Sequence, residues 1–241
     1  MQQDSTNRSL AYMLGRKSAP IFFKANWIMQ SLAGTETEKI EAEFQMGYLL
    51  AQVYEEKVSV FENNRLAEIA EKLLSKLRNK ERQYRFRLDR SGELNALAIP
   101  GGFIYMSENL FDQCGEDVDA VAFVLAHEIA HGIHGDANKR FLTKTAINGL
   151  LRLRTRGVSP PVQQLLARLV QQGYSREQEF RADRFAVALT QAAGFDPSGG
   201  CRLFSMLAEH SNEPGFTGAY FSSHPALADR TDRIHRRMQE Q

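Results

Sequence analysis

The sequence HEIAH at residues 127–131 decides the predicted fold and the candidate site of this chain. Residues four apart share one face of an α-helix, so His127 and His131 can present two imidazole nitrogens to one tetrahedral metal ion. Glu128 then lies near the metal without binding it, as a general base would. Apolar residues recur at three- and four-residue steps around the motif, and Asp117 stands where acids favour a helix N-terminus. We therefore expect a helix that is largely buried on one face.

A second stretch, SREQEFRADRFA at residues 175–186, supplies the remaining parts of a catalytic zinc site. It opens with the capping box S-x-x-Q and predicts a helix that ends near Gly194. A catalytic zinc ion takes a third protein ligand and keeps its fourth position open, and we assign Glu179 as that ligand. Asp183, on the same face, is expected to accept the free ring N–H of a bound histidine, for which we take His127. The alternative is a solvated, charged helix face.

Counting along the first motif excludes one class of zinc peptidase. The metzincin pattern requires Gly at its eighth position and His or Asp at its eleventh, whereas this chain has His134 and Ala137 there. His134 lies about one turn after His131, which leaves it open as an extra ligand. We favour a structural role for it, because the helix is expected to end near residues 132–135 and Glu179 already completes the ligand set.

Four ordered segments resemble one known family, the gluzincin peptidases that include the CAAX prenyl-protein endopeptidase and the bacterial HtpX heat-shock proteases. The segments are HEIAH at 127–131, SREQEFRAD at 175–183, LNALAIPGGFIY at 94–105, and SSHP at 222–225 followed by Arg230. The resemblance covers residues 36 to 237. It implies an α+β fold, a mostly helical zincin-type metallopeptidase domain with a small β-sheet or hairpin over the HExxH helix. It also implies one Zn²⁺ per chain.

The third of these segments predicts a β-hairpin above the zinc site. Residues 94–99 are apolar, the Pro-Gly-Gly at residues 100–102 is a turn signal, and residues 103–106 can form a second strand. The resemblance implies that the exposed edge holds a substrate in extended form through backbone hydrogen bonds. The alternative is a buried hairpin without contact to substrate. The residues expected to contact substrate are Asn95, Ala96, Ala98, Pro100, Gly101, Gly102 and Arg230.

His224 admits two roles. Its imidazole could donate a hydrogen bond to the oxyanion of the tetrahedral intermediate, which would make it a catalytic residue beside Glu128. It could equally bind zinc at the fourth position, and the enzyme would then be latent until the segment 210–225 moves. Gly215 and Gly218 would allow such a movement.

Length and composition favour one catalytic domain. The chain has 241 residues with 43% hydrophobic content, enough for one sizeable core. We assign residues 35–241 to the catalytic domain and residues 1–34 to an N-terminal extension. Cys114 and Cys201 are expected to be buried free thiols, although a single bridge between them stays open. Further predicted elements are helices at 36–56, 64–77, 138–153, 161–173 and from Pro225, and a strand around Tyr84, Phe86 and Leu88.

The sequence leaves contact with a membrane and the compartment of the protein open. The most apolar stretch, residues 21–34, is too short for a spanning helix and contains Lys24 and Asn26, so we expect a soluble member of its family. A soluble chain is cytoplasmic if Met1 is the native start, and periplasmic or membrane-associated if a signal has been removed. Basic and aromatic residues occur together within residues 8–33. They suit either an interfacial helix in peripheral contact with a membrane or an arm that shields the cleft.

Charge gives little evidence for a nucleic-acid partner. The net charge is only +1, but the segment from Ala137 to Arg176 contains many basic residues and no acid. Such a run is usually a solvated face, and no aromatic residues interleave with the basic ones to stack on bases. We expect no nucleic acid to bind.

Two functions are compatible with these observations. The first is a zinc-dependent endopeptidase that hydrolyses unfolded or loosely folded proteins in quality control, with a zinc-bound water attacking the carbonyl and Glu128 as general base. The alternative is a latent or non-hydrolytic, chaperone-like protein whose metal is capped by His224 or by the N-terminal arm. The presence of Glu128 favours the first function, because a protein without hydrolytic activity has no use for a general base.

Overall fold

The structure is a computed structural model that describes residues 33–78, 80–136, 139, 173–210, 220, 223–225 and 227–239. Several predicted segments lie outside these residues. They are nearly all of the extension 1–34 and of the predicted helices at 138–153 and 161–173, most of the segment 210–225, and most of the basic run between Ala137 and Arg176.

The described residues form a mostly helical α+β fold, which confirms the predicted class. The helices are α1 Glu36–Glu55, α2 Asn64–Ser75, α3 Glu108–Cys114, α4 Val118–Ile133, α5 Arg176–Ala192, α6 Gly199–His210 and α7 Leu227–Gln239. The strands are β1 Val60–Phe61, β2 Arg85–Asp89, β3 Ala96–Ile99 and β4 Phe103–Ser107. None of the helices within these residues is both long and apolar enough to cross a membrane.

Side-chain caps fix where several helices begin. Thr35 and Glu38 form a capping box at the start of α1. Ser175 forms the equivalent box at the start of α5, and Asp117 accepts a hydrogen bond from Ala120 N–H at the start of α4. These contacts satisfy backbone donors that have no partner within the helix, so the sequence alone located these three helices. Helices α3 and α6 were not predicted.

The predicted hairpin is confirmed, and it is part of a four-stranded sheet. The strand order is β1-β2-β4-β3. β3 and β4 pair antiparallel, with Ile99 opposite Phe103, whereas β2 runs parallel to β4. β3 therefore lies at an edge of the sheet. It packs against both α1 and α4, so the edge strand stands directly beside the helix that carries the HEIAH motif.

The Pro-Gly-Gly turn between β3 and β4 is clamped onto α1. A Cβ atom at Gly47 of α1 would lie 1.7 Å from the Pro100 carbonyl oxygen, so only glycine allows this approach. Gly101 and Gly102 have φ angles of 82° and 87°, in the left-handed region. Glu43 of α1, which is buried, accepts a hydrogen bond of 3.3 Å from Gly101 N–H. The turn thus packs against α1, and this contact holds β3 in place.

Helix α4 is the centre of the hydrophobic core. Every residue from 120 to 132 is buried, because α2, α5, α6 and the sheet surround the helix. The sequence predicted burial on one face only. The difference arises because small residues such as Ala122, Ala126 and Ala130 allow neighbouring elements to pack on the remaining faces.

Both cysteines are buried free thiols. Cys114 ends α3 and Cys201 lies in the first turn of α6. Burial raises the pKa of the two thiols to about 12 and about 11 respectively, so neither forms a reactive thiolate at neutral pH.

Candidate metal centre

The two motif histidines converge as the helix period predicts. His127 and His131 are fully buried on one face of α4, and their Nε2 atoms lie 3.0 Å apart. Burial lowers the pKa of His127 and so favours the neutral imidazole, the form that binds metal ions.

Glu179 of α5 completes a group of three side chains that could hold a metal ion. Its Oε1 lies 3.2 Å from His131 Nε2, and its Oε2 lies 3.6 Å from His127 Nε2. Ala182, one turn further along α5, is fully buried where the two helices pack together, and a larger residue there would separate them. Burial alone would raise the pKa of Glu179, but His224, His127 and Arg230 hold it well below its usual range. The carboxylate is therefore ionised.

The Asp183 carboxylate orients the imidazole ring of His127. His127 Nδ1–H donates a 3.0 Å hydrogen bond to Asp183 Oδ1. Arg230 holds the same carboxylate through Nε and Nη2, each at 2.8 Å. Burial would raise the pKa of Asp183, but the Arg230 charge outweighs burial and keeps the pKa low. Because Nδ1 of His127 carries the proton, Nε2 presents its lone pair to the centre.

A second carboxylate supports His131 in the same way, and the sequence analysis missed it. His131 Nδ1–H donates a 3.1 Å hydrogen bond to Asp136 Oδ2. Asp136 is fully buried and accepts further hydrogen bonds from Gln178 and Arg181 of α5. Burial would raise its pKa, but these hydrogen bonds, led by the one from His131, lower it to about 2. The sequence did contain a signal for this contact, because Asp136 lies five residues after His131 and just beyond the end of α4.

Tyr174 is a further residue that sequence reasoning missed. Its ring stacks on the imidazole of His131, with centroids 3.6 Å apart and planes 7° from parallel. Its backbone N–H donates a 3.0 Å hydrogen bond to the Ser223 carbonyl oxygen, next to His224. Tyr174 directly precedes the cap of α5, so the start of this helix fixes both the ring and the segment that carries His224.

These residues fit a zinc ion. With both Nδ1 atoms donating to carboxylates, the Nε2 atoms of His127 and His131 and the Glu179 carboxylate are three acceptors facing one point. A cation at that point would satisfy all three atoms at once. The ligand atoms of a tetrahedral zinc lie roughly 3.3 Å apart, given Zn–N distances of about 2.0–2.1 Å. The observed separations of 3.0, 3.2 and 3.6 Å bracket that value.

Glu128 stands beside this group with both of its oxygens unsatisfied. Its carboxylate is fully buried, and no hydrogen bond from the described part of the chain reaches either oxygen. His224 Nε2 lies 3.5 Å from Glu128 Oε1. A buried carboxylate without donors is costly, so this arrangement suits a group that receives its proton from a bound water or substrate.

His224 lies within the same cluster. Its Nδ1 is 3.3 Å from His127 Nε2 and 3.3 Å from Glu179 Oε1, so it occupies a fourth corner of the group. The adjacent Ser223 hydroxyl donates a 3.1 Å hydrogen bond to Asn95 Oδ1, at the start of β3. The segment that carries His224 is thereby tied to the edge strand.

Arg230 occupies a different place from the one expected from the sequence. Its side chain is 0% exposed and lies behind the metal-binding group. Nη1 forms a 2.7 Å ion pair with Glu179 Oε2, without hydrogen-bond alignment, and the guanidinium lies 4.5 Å from the Phe204 ring centroid. This geometry favours a positioning role over contact with substrate.

The other residues expected to contact substrate lie on or beside the edge strand. Asn95 is half-buried, and Ala96 and Ala98 are buried within β3. Residues 100–102 form the turn held by α1. His134 caps the end of α4, where its Nδ1 lies 2.7 Å from the Ala130 carbonyl oxygen, and it does not belong to the metal-binding cluster of the described residues.

A buried HExxH helix and a glutamate from a second helix, beside an edge strand, are features of a zincin-type metallopeptidase. The chain belongs to the family described as Peptidase family M48, which matches residues 61–238. The narrower resemblance to the CAAX and HtpX members stays a prediction.

Three curated relatives illustrate the similarity. The chain is 29% identical to mitochondrial metalloendopeptidase OMA1 of Schizosaccharomyces pombe, over 58% of this chain and 42% of that protein. It is 26% identical to the putative beta-barrel assembly-enhancing protease of Vibrio cholerae, over 70% and 37%. It is 28% identical to metalloprotease LoiP of Escherichia coli, over 61% and 59%. The chain therefore matches less than two thirds of the length of each of these relatives.

Proposed function

We propose that this chain is a zinc-dependent endopeptidase that hydrolyses peptide bonds in unfolded or loosely folded proteins, as part of protein quality control. The observation that carries the proposal is the convergence of three buried metal-binding acceptors beside the unsatisfied carboxylate of Glu128. A structural zinc site closes all four positions with protein ligands and has no use for a fifth, unbonded carboxylate.

His127, His131 and Glu179 would hold the zinc ion. When bound, zinc supplies Lewis-acid activation of both water and the substrate carbonyl. Glu128 accepts the proton from the attacking water and delivers it to the leaving amine, which its lack of other hydrogen-bond partners permits. Asp183 and Asp136 keep the two imidazoles in the tautomer that exposes Nε2.

The edge strand gives the proposal its substrate class. Among the described strands, β3 pairs only with β4, and it packs beside α4. An extended peptide can add to such an edge through backbone hydrogen bonds, whereas a compact folded protein cannot supply an unpaired strand. We therefore propose that Asn95, Ala96 and Ala98 contact substrate through the backbone. The turn formed by Pro100, Gly101 and Gly102 holds β3 in position.

The substrate class is tested with one protein in two states. A disulfide-containing protein is offered to the zinc-loaded chain either folded or reduced and unfolded, and the Glu128→Gln variant prepared identically reports any contaminating protease. We expect the wild type alone to cleave, and to cleave the unfolded form much faster. Equal rates on both forms would contradict the proposed substrate class but not the proposed peptidase activity.

A second candidate function is a latent or non-hydrolytic, chaperone-like protein in which His224 caps the metal. The specific observation is the placement of His224 Nδ1 3.3 Å from both His127 Nε2 and Glu179 Oε1. The sign of the effect of His224→Phe separates the two roles. Turnover falls if His224 stabilises the oxyanion. Turnover rises, with zinc retained, if His224 acts as a cap.

We further propose that residues 35–241 act as one catalytic domain with residues 1–34 as an extension. Helix α1 lies outside the region that matches the family, but its contacts with β3 and β4 make it part of the same folded unit. Removing residues 1–34 should then leave cooperative unfolding intact, whereas removing α1 should abolish it.

A further inference from the structure

A basic groove lies between α5 and α7, on the far side of Asp183 from the histidines. It encloses about 230 Å³. Its lining includes Phe180, Arg184 and Val187 of α5, and Arg233, Ile234 and Arg236 of α7. The metal centre uses none of these six side chains.

Three arginines of the basic groove have no counter-charge among the described residues. Arg184, Arg233 and Arg236 are exposed, and none of them forms an ion pair with a carboxylate of the described residues. Arg236 Nε donates instead to the Asp232 backbone carbonyl, at 3.3 Å. The rest of the sequence has acids only at Asp4, Glu213 and Glu240. The groove therefore keeps a concentrated positive charge that the chain itself hardly neutralises.

The floor of the basic groove is apolar. Val187 and Ile234 are buried beneath the arginines, and the Arg233 guanidinium lies 3.9 Å from the Phe180 ring centroid. This stacking fixes the guanidinium plane and leaves its N–H donors free along the rim. Arginine forks match the oxygens of a phosphate group, while the floor suits a ligand with an apolar part next to its charge.

We propose that the basic groove binds the phosphate headgroup of an anionic phospholipid and so docks this face of the protein on a membrane surface. The apolar floor favours a lipid over a free phosphate, which has no apolar part to bury. Arg233 already covers one face of the Phe180 ring, and no other aromatic residue is among the described residues that line the groove, so it offers little for stacking on nucleic-acid bases. Asp183 lines the groove and also holds His127, which would place the metal centre directly behind the docked surface.

The test uses the full chain and vesicles made of equal parts phosphatidylglycerol and phosphatidylcholine, beside vesicles of phosphatidylcholine alone. The test variant is Arg184→Gln/Arg236→Gln. The matched control is Lys76→Gln/Arg78→Gln, which removes the same charge from two exposed residues after α2 that form no ion pair with the described residues. Each basic residue near an anionic surface strengthens partitioning roughly fivefold, so the test variant should bind roughly 30-fold more weakly.

The expected result is salt-sensitive sedimentation of the wild type and of the control with the anionic vesicles only, and its loss in the test variant. Wild-type binding that the test variant retains would overturn the proposal, as would no binding to the anionic vesicles. Glycerol 3-phosphate serves as the soluble arm: if it binds at the groove while the vesicles do not, the ligand is a free phosphate and the lipid assignment is wrong. Arg233→Gln provides a second, independent probe, which should weaken vesicle binding with an unchanged unfolding midpoint.

Discussion

Replacing Arg230 by methionine should destabilise the metal-free protein strongly. The Arg230 guanidinium is 0% exposed, chelates Asp183 through two 2.8 Å hydrogen bonds, and pairs with Glu179 at 2.7 Å. Methionine fills much of the same volume but leaves two buried carboxylates without their cation. Removing one partner of a buried ion pair costs about 3–5 kcal/mol. We expect a loss of that size in the free energy of unfolding.

The assay is urea unfolding of the chain in the presence of a chelator. With a denaturant slope of about 3 kcal/mol per molar, the midpoint should fall by about 1–1.7 M. Arg236→Met is the matched control, because it removes an exposed arginine from the same helix and should change stability by less than about 0.5 kcal/mol. Added zinc should restore part of the loss in Arg230→Met, since a cation at Glu179 replaces one of the two lost interactions.

One result would refute this reasoning. If Arg230→Met unfolds at the wild-type midpoint but shows a raised KM, Arg230 contacts the substrate, as the sequence pattern suggested, and the buried ion-pair cluster does not exist in solution.

Three further predictions concern the supports of the site. The pKa of Asp136 is about 2 in the folded protein and 3.8 ordinarily. The ionised carboxylate therefore stabilises the folded state above about pH 4, and this stabilisation is lost as the pH falls towards 2. The stability difference between the wild type and Asp136→Asn should therefore shrink by roughly 2 kcal/mol across that window, and parallel pH profiles would contradict this account. Gly47→Ala should lower stability by about 1–3 kcal/mol, because the new Cβ meets the Pro100 carbonyl oxygen at 1.7 Å, and an unchanged thermal midpoint would show that α1 does not clamp the turn. Glu179→Ala should weaken zinc binding in a chelator competition assay, and unchanged affinity would remove Glu179 from the ligand set.

The local features of this fold could be predicted from the sequence. Capping boxes depend on residues three apart, so the starts of α1 and α5 were evident. The i, i+4 spacing of His127 and His131 also fixes their common face, whatever the rest of the chain does. The turn signal at residues 100–102 located the hairpin between β3 and β4 for the same reason.

Features that depend on distant contacts could not be predicted. The parallel pairing of β2 with β4 joins segments separated by β3, and no local pattern specifies that register. Asp136 lies beyond the end of α4, where its side-chain direction depends on Gln178 and Arg181 of α5. Arg230 lies in the first turn of α7, six residues after His224, and that spacing left open whether its side chain faced the cleft or the core.

The most direct test of the account is single-turnover cleavage of an unfolded polypeptide by the wild type and Glu128→Gln at matched zinc content. We predict that both proteins bind one zinc ion per chain at the same affinity and that Glu128→Gln cleaves more slowly by a factor of about 10² to 10⁴, the usual contribution of a general acid–base residue. Zinc-loaded Glu128→Gln that cleaves at the wild-type rate would contradict the assignment of the general base. A wild type that binds no zinc would contradict the metal centre itself.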